Sequence, residues 1–162
     1  MTASAYMDTC LVSALVRRDI AVREFAALLE ILARFERGEI SLMCSSAVED
    51  ELDRIPSDFR APHLAQLKVF GTIPRVSPGG ITRLGLAGVP AANPRYNLWR
   101  RLLVLLPDND DAEHVFIASC NRMPHLITVD ERTLLRHRVA VQGLCGVQLV
   151  SPTEFINAAL AS

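Results

Sequence analysis

The chain has 162 residues, half of them apolar, with 17 basic groups against 18 acidic ones and a formal net charge of -1. A single domain near this length buries roughly 70% of the surface its unfolded form exposes, so it needs no disulfides or structural metal to fold, and intrinsic disorder is excluded. No apolar run approaches the roughly 20 residues that span a bilayer, and Asp8 interrupts a first apolar stretch that also lacks a basic flank; a cytoplasmic protein with neither membrane span nor secretion signal is expected.

Ala3 to Met7 predicts a short strand that stops at Asp8-Thr9, with a helix over Leu11 to Arg17. Val22 to Arg37 repeats apolar residues at helical spacing (Phe25, Leu28, Leu29, Leu32, Phe35) and ends at Gly38, a residue suited to a helix C-terminus. Ile40 to Cys44 reads as a buried strand. A helix is expected from Ser46 to about Ile55, another over Leu64 to Phe70, and a short strand over Thr72 to Val76. Ser77 to Asn97 gathers Gly79, Gly80, Gly85 and Gly88 with Pro78, Pro90 and Pro94, and predicts a long loop or lid. Helices are expected over Leu98 to Leu106 and Asp110 to Arg122, a strand over His125 to Val129 running into Asp130, and a short helix over Glu131 to Arg138. Val147 to Val150 and Thr153 to Leu160 close the chain as strand and helix. Short apolar strands alternating with helices predict one α/β domain over 1–162, a three-layer α/β/α sandwich around a mostly parallel sheet.

In such a sheet ligands bind beyond the carboxyl ends of the strands. Asp8 and Asp130 each follow a strand directly and should share that edge. Ser46-Ala47-Val48-Glu49 matches a capping box, which gives Glu49 a structural task. Glu51 has none: three positions after Val48 and four before Ile55, it lies on an apolar stripe, where an unpaired carboxylate costs several kcal/mol. Within Asp108-Asn109-Asp110-Asp111 the helix dipole accounts for Asp108 and Asp110, while Asp111 aligns with Val115 and Ala118 and turns inward. Asp8, Glu51, Asp111 and Asp130 together would repel one another without a counterion. All-oxygen ligands favour magnesium or manganese, ions that activate water and offset charge on a phosphate.

Tyr6-Met7-Asp8-Thr9, the stretch Ser45 to Leu52 with Glu51-Leu52, Asp111-Ala112-Glu113-His114, and Leu126-Ile127-Thr128-Val129-Asp130 resemble, in order and spacing, the four acidic motifs of PIN-domain nucleases. The resemblance covers almost the whole chain. It implies a Mg2+- or Mn2+-dependent endoribonuclease with Asp8, Glu51, Asp111 and Asp130 as metal ligands, and Thr128 orienting a ligand or water from the same strand face as Asp130. It also implies the toxin half of a VapC-type toxin-antitoxin pair, acting on RNA, inhibited by a small antitoxin protein and homodimeric. Cys10 stands where many members carry asparagine or serine, and the region from Pro56 to Asn97 is longer than in compact toxins. Two alternatives stay open: a non-catalytic PIN-like binding or scaffold module, and a structure-specific DNA nuclease using the same acids.

The remaining residues carry less. Cys10, Cys44, Cys120 and Cys145 match no zinc or CxxC spacing and read as small buried hydrophobes. The four histidines read as structural. Asn93 to Arg101 interleaves Tyr96 and Trp99 with Arg95, Arg100 and Arg101, a composition that suits RNA or, equally, a surface helix with its aromatics packed inward. Arg132, Arg136 and Arg138 follow Asp130 closely enough to line its crevice. No P-loop ending follows Gly79-Gly80 and no second acid stands at position 10, so P-loop nucleotide hydrolysis and aspartyl-phosphate chemistry are excluded.

Overall fold

The computed structural model describes residues 3–76 and 93–160. Four parallel strands form one sheet in the order β2-β1-β3-β4: β1 (Ala3–Met7), β2 (Ile40–Met43), β3 (His125–Ile127) and β4 (Gln148–Val150). Period-2 alternation sends neighbouring side chains to opposite faces, and two cores result. Ala5, Met7, Leu42 and Ile127 join one of them, with Leu11, Leu28, Ile31 and Phe155 from α1 (Cys10–Arg17), α2 (Val22–Glu36) and α8 (Pro152–Leu160). Tyr6, Leu126 and Leu149 join the other, with Leu102, Phe116 and Val141 from α5 (Pro94–Leu105), α6 (Asn109–Cys120) and α7 (Arg138–Cys145). The expected α/β sandwich, an all-parallel sheet flanked by helices, is therefore what forms. Among the described residues no helix is long and apolar enough to cross a membrane.

The departures are local and each has a cause. α3 (Ser46–Asp53) is capped by Ser45 rather than Ser46, Ser45 Oγ accepting the Ala47 N–H, and Glu49 pairs with Arg75 at 2.6 Å instead of reaching back to the cap. The helix expected from Leu64 begins earlier, as α4 (Ser57–Val69). Thr72 to Val76 contributes only a bridge between Cys44 and Arg75. Of the expected 77–97 loop, 77–92 lie outside the described residues and Pro94 to Asn97 already belong to α5, whose start Asn93 caps through the Arg95 N–H. Glu131 to Arg138 forms a turn and a 3-10 segment (Leu135–His137), held by Asp130 Oδ1 on the N–H groups of Arg132 and Thr133. α7, which no sequence signal marked, follows it.

Candidate active site at the carboxyl edge of the sheet

The carboxyl ends of β1 and β3 are stapled to each other. The Asp8 N–H donates to the Ile127 carbonyl at 3.2 Å, which carries Asp8 to the level of Thr128. Thr128 is fully buried. Its hydroxyl donates to Asp8 Oδ2 at 2.7 Å and accepts the Asp130 N–H at 3.1 Å, so one side chain sets the first predicted acid against the last. The Cys10 thiol donates to the same Asp8 oxygen at 2.9 Å and lies 3.2 Å from Thr128 Oγ1. Thr128 thus acts on Asp8 and Asp130 directly. Cys10 is half-buried, yet it is a polar member of the site as well as a small hydrophobe; burial, then the Asp8 charge, pushes its thiol well above the ordinary cysteine value.

Behind Asp8 lies a buried network that the sequence did not announce. His114, only 1% exposed, comes from α6 and stands among Tyr6, Thr9, Glu51 and Asp8. Its Nε2 lies 2.5 Å from Glu51 Oε1, 3.0 Å from Thr9 Oγ1 and 3.6 Å from Asp8 Oδ1; its Nδ1 lies 2.8 Å from the Tyr6 hydroxyl. Burial opposes charging the ring, but Tyr6, Glu51 and Asp8 together outweigh it and raise His114 well above the ordinary histidine value. The imidazolium then donates from Nε2 to Glu51 and from Nδ1 to Tyr6. The Tyr6 hydroxyl in turn donates to Ser45 Oγ at 2.6 Å, which links the site to the cap of α3. Glu51 does turn inward, as its apolar stripe required, and its partner is this ring. Asp-Ala-Glu-His placed His114 one helical turn beyond Asp111, the one available signal, but the histidine's task depends on residues as far as 108 positions away.

The acids therefore divide into two sets. Asp8 and Glu51 receive positive charge from His114. Asp111 receives none: its Oδ2 is buried without a hydrogen-bond partner, and its carboxyl is pushed up to about 7, first by burial, against a smaller opposing pull from the Thr133 hydroxyl, and further by the charges of Asp8, Asp108 and Asp130. The charges of Asp8 and Asp130 act on Asp111, which lies within their negative field. The all-oxygen donors suit a hard ion and the unpartnered oxygen suits a ligand. Among the described residues, however, no three His, Cys, Asp or Glu side chains already stand at the spacing of a metal centre.

In the arginine-rich helix one of the two aromatics is committed to the core. Trp99 is buried edge-on against Phe116, with ring centroids 5.4 Å apart, and is not free to stack on a base. Of the arginines after Asp130, Arg132 and Arg138 line the cavity beside it and Arg136 does not. Of the other histidines, His63 bonds the Phe59 carbonyl, and His125 bonds the Ser4 carbonyl and packs on Phe155. No protein-family model, no curated protein and no solved structure matches this chain.

Proposed function

We propose that the protein is a PIN-type endoribonuclease that hydrolyses RNA phosphodiester bonds with Mg2+ or Mn2+, and that it is the cytoplasmic toxin of a toxin-antitoxin pair, restrained by a small antitoxin protein and acting as a homodimer. The observation that carries the metal, and with it the hydrolysis, is the uncompensated Asp111 carboxyl beside Asp8 and Asp130. Asp8, Glu51, Asp111 and Asp130 would hold the ion. A bound divalent ion supplies the Lewis acidity that activates water and offsets charge developing on the phosphate. The chain's own residues prepare that site. Thr128 and Cys10 fix Asp8 Oδ2, which leaves Oδ1 facing, among the described residues, a 3.5 Å contact to the Cys10 N–H and the 3.6 Å contact to His114. The turn N–H groups of Arg132 and Thr133 hold Asp130 Oδ1 and so orient its other oxygen. His114 holds Glu51 in its half-buried position through the Nε2–Oε1 hydrogen bond.

One observation favours the scaffold alternative: Asp8 and Glu51 already have a partner within the fold, the His114 ring. Incubation of the purified protein with single-stranded RNA separates the two. Cleavage that needs Mg2+ or Mn2+, stops on chelation and disappears in Asp8→Asn and Asp130→Asn is expected. Full metal-dependent activity in Asp8→Asn would refute the assigned site, and cleavage of flap DNA in place of RNA would redirect it to the DNA-nuclease alternative.

A further inference from the structure

A cavity of about 850 Å³ opens beside Asp130 and Cys10, within the size range of small-molecule sites. Its walls come from α1, the start of α2, the turn after β3 and the start of α8. Four arginines line it, and they are not equivalent. Arg138 pairs with Glu154 at 2.7 Å and Arg23 lies 3.5 Å from Glu24, which also accepts the Thr153 N–H. Arg17 and Arg132 face the same cavity with no ion pair or side-chain hydrogen bond among the described residues. Ala21, also in the wall, starts the 15-residue helix α2 and offers it no side-chain acceptor. Asp19 and Glu131 line the cavity too, so it is no general sink for polyanions. Two unpaired guanidiniums among those acids suit a single phosphate group, placed by its neighbours.

We propose that this cavity seats the nucleotide of single-stranded RNA next to the scissile bond, with Arg17 and Arg132 gripping its phosphate. The proposal rests on the nuclease assignment and adds to it the path of the substrate. Each phosphate contact on a single strand contributes a slope of about 0.7 to the dependence of log affinity on log salt concentration.

The test is cleavage of a labelled single-stranded RNA by the full chain over a range of salt, comparing the unaltered protein, Arg17→Ala/Arg132→Ala and Arg136→Ala. The double variant is expected to raise KM about tenfold and to lower the salt slope by about 0.7, the loss of one phosphate contact, at an unchanged melting temperature. Arg136→Ala, altered outside the cavity, should match the unaltered protein. An unchanged KM and slope in the double variant would overturn the subsite while leaving the nuclease assignment standing. An unaltered protein that neither binds nor cleaves RNA would overturn both.

Discussion

Replacing Asp111 with asparagine removes a charge that the fold does not compensate, and so it should stabilise the protein while destroying the site. The carboxyl shifts from an ordinary 3.8 to about 7 in the fold. Between those values the folded chain holds a proton that the unfolded chain has released, so stability falls as pH rises through this window and stays reduced above it. Taken at face value the shift amounts to about 4 kcal/mol. Asp111 is only partly buried, and solvent screening brings the figure to about 2 kcal/mol. Asparagine cannot ionise. Asp111→Asn is therefore expected to melt roughly 4 to 8 °C higher than the unaltered chain at pH 8, for a protein of this size, and at nearly the same temperature at pH 4. Thermal unfolding followed by circular dichroism across pH 4 to 8 measures both. Mg2+ at ten times its dissociation constant should add about 1.4 kcal/mol to the unaltered protein at pH 8, and much less to Asp111→Asn. A variant that is less stable at pH 8, or whose advantage is the same at pH 4 and pH 8, would refute the uncompensated charge.

Three further perturbations follow from the geometry. Thr128→Val removes the hydroxyl that joins Asp8 to Asp130 and leaves buried groups unpaired; urea denaturation should show a loss of about 1 to 3 kcal/mol, and RNA cleavage should fall more steeply than stability does. Tyr6→Phe breaks the link between His114 and Ser45, with an expected loss of about 1 to 2 kcal/mol by the same assay; no loss would mean that this chain of hydrogen bonds is idle. The Cys10 thiol, held protonated by burial and by Asp8, should be alkylated by iodoacetamide at pH 8 far more slowly in the folded chain than in urea, as read by mass spectrometry. Equal rates would contradict the hydrogen bond to Asp8.

How much of this was legible depended on the range over which each residue acts. β1, β2 and α2 announced themselves because apolar blocks and helical spacing are local signals that the packing then used unchanged. Asp8 and Asp130 were legible as strand-end acids, and Asp111 as inward-turned by its alignment with Val115. α7 was not: it is only eight residues long, with Val139 80% exposed and Gly143 inside it, although the folded helix is amphipathic and packs against β4 and α5. The cap of α3 fell one residue early because Ser45 and Ser46 are both competent caps, and the Tyr6 hydroxyl and the Ala47 N–H meet on Ser45. His114 was hidden for the same kind of reason. A lone histidine on a buried helix face looks alike whether it fills space or gathers acids, and only the folded chain brings Tyr6, Thr9 and Glu51 around it.

The carboxylates of Asp8, Asp111 and Asp130 either meet around one divalent cation or they do not, and crystals of the protein soaked in millimolar MnCl2 decide it. An anomalous difference peak ligated by Asp111 together with Asp8 or Asp130 is the expected result. A map with no manganese at that edge, at a concentration that fills ordinary carboxylate sites, would contradict it.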